Sequence, residues 1–233
     1  MILFVLISML SLFLVRRKLP LIQVQRSWMF QEWKAGEVQV ILQGHRSEEE
    51  LNEIAALGHQ EIVRLDSIIN EYKGTSEAGR LRLKMEKGEK NIVISEELFH
   101  LLSYAQSVSR SSEGAFDITV GPLLQLWKKS GEAKEVPSSR EINEAIHGVG
   151  WKKLQLDPAR REVSFSSPTL SFALGAFSKG YAVDRMVEVY RKQGIEAGMV
   201  NMGGDLRCFG NRVWKIGIQD PRIQDAEGAE EIV

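Results

Sequence analysis

The sequence predicts an α+β fold in one compact domain, and three observations lead to this fold class. Long stretches carry apolar residues at helical spacing, whereas shorter segments alternate polar and apolar residues as strands do. Turn residues such as Asp157-Pro158 join some short segments closely enough for antiparallel hairpins. No motif recurs at a fixed period, so the sequence does not indicate a repeat architecture. Hairpins mixed with long helices are typical of the α+β class.

Composition limits the classes of protein to which the chain can belong. The chain has 233 residues, 43% of them hydrophobic and 26% charged, which is ordinary for a globular domain. The formal net charge of −1 gives no support for nucleic-acid binding, which favours a basic surface. Cys208 is the one cysteine, so a disulfide framework is excluded, and we expect it to be a small core residue.

Residues 1–25 are predicted to be a hydrophobic N-terminal anchor or signal-like segment, followed by a domain over 26–233. Residues 1–15 contain only two polar side chains, both serines, and basic residues 16–18 follow. The apolar run is short for a spanning helix, and a secretory signal would carry its charges before that run. A misassigned start is the alternative. We expect membrane association. By itself, the positive-inside rule applied to basic residues 16–18 would keep the domain that follows them in the cytoplasm.

The first half of the domain alternates strands with two long helices. The predicted elements are a strand over 37–42, a helix from Ser47 to about Asn70, a loop over 70–81, a strand over 91–94 and a helix from Ser95 to about Arg110. In the loop, Tyr72 could stack on a planar ring, and Ser76 and Glu77 could bind a ligand. The alternative is a plain polar connector, which the composition favours.

The stretch from Gly114 to Trp127 places an acid and a hydroxyl two residues apart. On an extended backbone Asp117 and Thr119 would share one face. An aspartate in such apolar surroundings needs a partner if it is buried. Asp117 therefore either binds a ligand or fastens the turn at Gly121-Pro122, and periodicity does not decide between these readings.

The second half begins with a predicted exposed loop over 128–139. Ser138 and Glu141 then form a capping box that starts a short helix. The remaining predictions are a hairpin of 153–157 with 162–165, a strand over 197–202 that turns at 203–205, and a strand over 214–218.

A glycine-bearing loop over 173–180 runs into an amphipathic helix that Gly194 ends. Gly175 would let backbone approach a ligand, and the helix N-terminus together with Lys179 would suit a phosphate. The alternative is a tight strand-to-helix turn with a solvated lysine. The loop matches neither of the two common glycine-rich nucleotide motifs.

Four blocks in order resemble one family. They are G-A-F-D-I-T-V-G-P-L, L-G-A-F-S-K-G-Y-A-V-D, V-N-M-G-G-D-L and W-K-I-G-I-Q-D-P-R, and a Y-x-x-x-S-E match at Tyr72 precedes them. Together they resemble the ApbE family of FAD:protein FMN transferases over roughly residues 26–222. The resemblance implies T-fold-like mixed sheets with flanking helices.

The resemblance also implies an activity and a cellular location. Members use FAD as substrate and Mg²⁺ as cofactor, transfer FMN to a threonine or serine of a target flavoprotein, often a redox subunit, and release AMP. We therefore expect a transferase on the extracytoplasmic face of the cytoplasmic membrane, with no nucleic acid as partner.

Site residues follow by position in the matching blocks. The resemblance implies that Tyr72, Ala115, Phe116, Asp117 and Lys179 contact FAD and that the backbone carbonyl of Ala176 is a metal ligand. It identifies no catalytic residue.

Three departures from the family pattern leave an alternative open. Trp33-Lys34-Ala35 replaces an M-G-T motif, and Ala173 replaces an aspartate. The chain stops at Val233, before an H-x-I-D-P motif and an acid-threonine metal site, so we expect the C-terminal part of the fold to be missing. The alternative function is a degenerate or truncated relative that binds a flavin nucleotide without transferring it.

Overall fold

The structure is a computed structural model that describes residues 20–30, 36–166, 171–219 and 229–232. The strands are β1 (Ile22–Phe30), β2 (Gly36–Gly44), β3 (Ile92–Val93), β4 (Leu154–Asp157), β5 (Glu162–Phe165), β6 (Ala197–Met202), β7 (Asp205–Phe209), β8 (Gly217–Gln219) and β9 (Ala229–Ile232). The helices are α1 (Glu48–Ile69), α2 (Glu77–Glu86), α3 (Glu96–Ser111), α4 (Gly121–Ala133), α5 (Ser139–Ile146) and α6 (Ser178–Lys192). Helices and antiparallel strands mix along the chain, which confirms the α+β class.

Most of the predicted N-terminal anchor, residues 1–19, lies outside the described residues, as do Trp33, Lys34 and Ala35. Residues 22–25, which the prediction placed in the same segment, form the start of β1. None of the helices in the described part of the chain is both long and apolar enough to cross a membrane.

The chain divides into two compact units, and α1 and α6 contribute residues to both. The first unit contains residues 37–59 and the chain from Val183 onward, together with β1. Its main sheet has the order β1-β2-β6-β7. β2 and β6 pair antiparallel, with Val38 opposite Met202, and β6 continues into β7 through a hairpin at Gly203-Gly204. The predicted strands over 37–42 and 197–202 are therefore confirmed, and the structure adds that they are neighbours.

Two corrections concern the end of this unit. The predicted strand over 214–218 begins only at Gly217, where β8 pairs with β9. Cys208 lies half-buried in β7 rather than in the core. Burial nevertheless raises the pKa of its thiol, which disfavours a reactive thiolate.

Helices α1 and α6 meet closely within the first unit. The Tyr190 side chain is fully buried, and its hydroxyl donates to the carbonyl of Ala55 at 3.2 Å. A Cβ on Gly58 would lie 1.9 Å from that hydroxyl oxygen, so the contact requires glycine at this position. Just outside these helices, the guanidinium of Arg46, which precedes α1, donates to the carbonyl of Gln193, which follows α6, at 2.7 Å.

The second unit contains residues 60–182 and a three-stranded sheet in the order β3-β5-β4. β4 and β5 pair antiparallel from Leu154 opposite Phe165 to Asp157 opposite Glu162, which confirms the predicted hairpin. Ser95 caps α3 by accepting from the N–H of Leu98. Both halves of the predicted capping box between Ser138 and Glu141 are present at the start of α5.

Two local predictions in this unit were wrong, and the structure decides a third point that the sequence left open. The predicted loop over 70–81 becomes helix at Glu77, because the buried Ser76 acts as its N-cap. The predicted loop over 128–139 is helical as far as Ala133, because Pro122 occupies the first turn of α4 and starts a helix instead of ending a strand. The segment around Asp117 is a turn and not extended backbone.

Candidate functional site

Tyr72 lies in the turn after α1, where its side chain is exposed to solvent and hydrogen bonds hold the backbone of the turn in place. The Asn70 amide donates to the buried Asp66 carboxylate at 2.8 Å, and the same carboxylate pairs with Lys73 at 2.9 Å. The side-chain oxygen of Asn70 accepts from the N–H of Tyr72 at 3.1 Å. The Tyr72 side chain is 77% exposed, which leaves its ring open to a planar partner.

Ser76 and Glu77, the other candidates in this segment, have partners within the protein. Ser76 is buried and accepts from the N–H of Gly79 at 2.9 Å. The Glu77 carboxylate accepts from the N–H and the hydroxyl of Ser95, at 2.5 and 2.6 Å. These contacts give both residues a structural role at the start of a helix, which the connector interpretation did not predict.

Glu71 is a site residue that the sequence analysis missed. Its side chain is only 5% exposed, and its Oε1 accepts from the N–H of Leu174 at 3.0 Å and of Gly175 at 3.4 Å. Burial raises the pKa of this carboxyl above its usual range, although hydrogen bonds from backbone N–H groups act in the opposite direction. The only sequence signal was its position beside Tyr72, because a glutamate in a polar loop is normally solvated.

The loop that Glu71 contacts is a short 3-10 turn over Leu174–Ala176. Leu174 is fully buried, whereas Gly175 and Ala176 are exposed. Apart from Gly175 itself and its two neighbours in the chain, no heavy atom lies within 4 Å of the position that a Cβ on Gly175 would occupy. The backbone of these two residues is therefore open to a ligand.

The run that precedes this turn is tied to the segment after Asp117. The N–H of Ala173 donates to the carbonyl of Ile118 at 2.7 Å, and Ser171 forms a parallel bridge with Val120. A Cβ on Gly121 would lie 2.7 Å from the carbonyl oxygen of Ser171, so glycine permits this close approach.

Asp117 fastens its own turn. One carboxylate oxygen accepts from the N–H and the hydroxyl of Thr119, at 2.7 and 2.6 Å, and the other accepts from the N–H of Trp151 at 2.8 Å. The Thr119 hydroxyl oxygen accepts from the N–H of Gly150 at 2.7 Å. Beside this network, Ala115 is exposed and Phe116 is half-buried. The geometry thus supports a structural role for Asp117, and the FAD contacts of Asp117, Ala115 and Phe116 stay predictions.

Lys179 lies in the first turn of α6, which begins at Ser178 rather than after Gly180 as predicted. The helix start is held by Tyr181, whose hydroxyl donates to Glu97 at 2.9 Å. Arg64 pairs with the same Glu97 at 2.6 Å and with Glu61 at 2.8 Å. The lysine charge therefore stands beside the positive end of a helix whose start is held in place.

The contacts bring the candidate segments together within the second unit. Glu71 joins the turn that carries Tyr72 to the turn that carries Ala176, and Ala173 joins the latter to the chain that follows Asp117. Lys179 lies three residues after Ala176 in the sequence. An exposed aromatic ring, an open backbone turn and a basic helix start are the groups that a nucleotide with a pyrophosphate requires.

Comparison with known proteins decides the family. The family model described as "ApbE family" matches residues 36–233. The chain belongs to the ApbE family. Among curated relatives, the FAD:protein FMN transferase of Vibrio cholerae serotype O1 is 30% identical over 183 residues, which cover 74% of this chain and 53% of that protein. The FAD:protein FMN transferase of Klebsiella pneumoniae (strain 342) is 26% identical over 168 residues, covering 72% and 52% of the two chains.

Solved ApbE structures share this fold. The crystal structure of the ApbE protein from Thermotoga maritima matches with a TM-score of 0.74 and 26% identity, and covers 91% of this chain and 67% of that chain. A mutant of the flavin transferase ApbE from Vibrio cholerae matches with a TM-score of 0.71 and 25% identity, with 86% and 68% covered. The chain spans about half the length of the curated ApbE relatives it matches.

The magnesium ion implied by the ApbE resemblance finds only part of a site here. Magnesium prefers near-octahedral coordination by oxygen ligands, usually with one or two carboxylates. Ala176 is exposed, but Glu71, whose carboxylate contacts the same turn, is buried and accepts from N–H donors. Among the residues that the structure describes, no group of three His, Cys, Asp or Glu side chains could hold a metal. The described residues alone therefore do not form a complete magnesium site.

Proposed function

We propose that this chain carries the activity of an FAD:protein FMN transferase. In that reaction a threonine or serine hydroxyl of a target flavoprotein attacks the phosphorus nearest the riboflavin of FAD. The pyrophosphate bond breaks, AMP leaves with the bridging oxygen, and the hydroxyl gives up its proton. The observation that supports this best is the open turn at Gly175-Ala176, held beside exposed Tyr72 and followed by Lys179.

Each of these groups has a task that its chemistry suits. Tyr72 stacks on a planar ring of FAD, and the backbone at 175–176 allows the pyrophosphate to approach closely. Lys179 and the start of α6 oppose the phosphate charge, which matters because phosphoryl transfer depends on positioning and charge neutralisation. Ala115 and Phe116 complete the wall of the same site. No residue of the described chain is assigned as catalytic base.

We extend the proposal to a requirement for Mg²⁺, which when bound neutralises phosphate oxygens. The support is the ApbE membership and the exposed Ala176 backbone. Ligands besides the Ala176 carbonyl would have to come from the substrate or from groups outside the described residues.

The experiment combines the chain with FAD, Mg²⁺ and a flavin-carrying redox subunit as acceptor. AMP is measured by chromatography, and covalently bound FMN by in-gel fluorescence of the denatured acceptor. If FMN is transferred, AMP and covalently bound FMN are expected in equal amounts, and EDTA is expected to abolish both. AMP without labelled acceptor would indicate FAD hydrolysis and contradict the transfer.

A second candidate is a relative that binds a flavin nucleotide without transferring it. Two observations favour it: the incomplete magnesium site and Ala173, a buried alanine at a position where the family pattern has an aspartate. FAD binding with no AMP release in the same experiment would support this candidate over the transferase.

We also propose that the apolar N-terminal segment holds the protein at the extracytoplasmic face of the cytoplasmic membrane. The composition of residues 1–15, which contain two polar side chains, supports the membrane association, and the extracytoplasmic orientation rests on the ApbE membership alone. Protease treatment of intact spheroplasts tests the orientation. Digestion of the domain supports the proposal, and protection until lysis contradicts it.

A further inference from the structure

The 3-10 turn over Leu174–Ala176 has no local cap. The first N–H groups of such a turn have no partner inside it and need an acceptor from elsewhere. The residue in the N-cap position is Ala173, whose methyl side chain cannot accept a hydrogen bond. Because Leu174 is fully buried, water cannot readily satisfy its N–H group.

Glu71 supplies the missing acceptor from another part of the chain. One carboxylate oxygen lies 3.0 Å from the nitrogen of Leu174 and 3.4 Å from the nitrogen of Gly175. The contact is long-range, because Leu174 lies 103 positions after Glu71 in the sequence. A negative group at the start of a helical turn also interacts favourably with the aligned peptide dipoles.

The carboxylate is held rigidly enough to act as a fixed cap. It is 5% exposed, and the Arg82 guanidinium donates to the backbone carbonyl of the same residue at 3.1 Å. On one side the chain is anchored by Asn70, and on the other by the ion pair of Lys73 with Asp66. Burying a carboxylate is costly, so a glutamate here is explained best by the two N–H groups that it binds.

We propose that Glu71 is a positioning residue that caps the Leu174–Ala176 turn and thereby holds Gly175 and Ala176 in the conformation that receives the phosphates of the flavin dinucleotide. This inference rests on the proposed function. Glu71 directly precedes Tyr72 in the chain, and its carboxylate accepts hydrogen bonds from the turn. One residue thereby fixes the spacing between the Tyr72 ring and the open backbone of that turn. The residue acts through the turn and does not itself touch the substrate.

The test compares Glu71→Leu, Glu71→Gln and the exposed control Glu89→Gln in the full chain. Hydrogen exchange of the Leu174 and Gly175 amides is measured without ligand, and FAD affinity is measured by calorimetry. Loss of the cap in Glu71→Leu is expected to speed exchange at these two amides about tenfold and to weaken FAD binding by a similar factor. Glu71→Gln keeps an acceptor oxygen, so it is expected to restore part of both effects. Glu89→Gln is expected to match the wild type.

Each outcome decides a separate point. Unchanged exchange at Leu174 and Gly175 in Glu71→Leu overturns the cap. Faster exchange with unchanged FAD affinity overturns the positioning role while leaving the proposed function intact. A wild type that binds no FAD overturns the proposed function, and the inference falls with it. If Glu71→Leu does not unfold cooperatively, the same comparisons are made with Glu71→Gln, in which smaller changes of the same sign are expected.

Discussion

Asp117 shows how a residue in a ligand-binding block can be structural. Its carboxylate accepts three hydrogen bonds, two from Thr119 and one from Trp151, and so closes the turn between α3 and α4. Ala115 and Phe116 lie directly before it; Ala115 is exposed, and Phe116 is half-buried like Asp117 itself. We infer that Asp117 shapes the wall of the proposed site, and its direct contact with FAD stays a prediction.

The first prediction concerns the stability that this network provides. Asp117→Ala leaves the N–H groups of Thr119 and Trp151 unpaired, so the free energy of unfolding should fall by about 2–4 kcal/mol. Urea denaturation followed by circular dichroism measures the change. Asp117→Asn keeps one acceptor oxygen and should lose about half as much. Wild-type stability together with weaker FAD binding in Asp117→Ala would show instead that the carboxylate is a ligand contact.

Candidate site residues could be selected from sequence where the residue types carry a signature, and Glu71 could not. Tyr72, Lys179 and the residues around Asp117 could be selected because they stand in blocks that resemble the family. The role of Glu71 depends on a hydrogen bond to Leu174, which lies more than a hundred residues away in sequence. Local pattern carries no information about such a contact, since it arises only when the chain folds.

At the scale of elements, the helix starts were the most predictable features. Ser95 and Ser138 cap α3 and α5 as predicted, because a hydroxyl that accepts from the third N–H of a helix is a local interaction. α4 was missed because Gly121-Pro122 also suits a turn, and its N-cap, Val120, offers no side-chain acceptor. Local sequence therefore identifies helices with polar caps better than helices that begin at proline.

The capping box of α5 leads to a pH-dependent prediction. The hydroxyl of Ser138, and next its backbone N–H, lower the pKa of Glu141 below its usual value. A depressed folded pKa means that the stabilisation is present above the unfolded value of 4.5 and is lost as pH falls through the folded value. The NMR chemical shifts of residues 139–146 should therefore move toward random-coil values in acid. Glu141→Gln keeps the box without a titrating group, and an equal acid response in that variant would contradict the assignment.

The contact between α1 and α6 leads to a packing prediction. A methyl group on Gly58 would lie 1.9 Å from the Tyr190 hydroxyl oxygen and 2.4 Å from the ring carbon that bears it. Gly58→Ala should therefore lower the free energy of unfolding by about 1–3 kcal/mol through overpacking, measured by thermal denaturation. Tyr190→Phe in the same chain should recover only part of the loss, because the ring carbon stays. Full stability in Gly58→Ala alone would contradict the close packing.

At the scale of the molecule, the fold class was predictable and the pairing of distant strands was not. Alternation identified the strands at 37–42 and 197–202, but nothing local indicated that β2 and β6 pair with each other. The blocks that resemble the ApbE family supplied the missing long-range information, and the family match over residues 36–233 agrees with them. Two compact units, one of which holds all the candidate flavin contacts, emerged only from the structure.

The measurement that tests the account most directly is calorimetric titration of the full chain with FAD in the presence of Mg²⁺. Lys179→Ala is compared with Lys192→Ala, which removes the same charge from the other end of α6. We predict one site in the wild type, a loss of about 1.5–3 kcal/mol or roughly 10- to 150-fold in affinity for Lys179→Ala, and no change for Lys192→Ala. Absence of FAD binding in the wild type, or equal affinity in the two variants, would contradict a flavin nucleotide site at the start of α6.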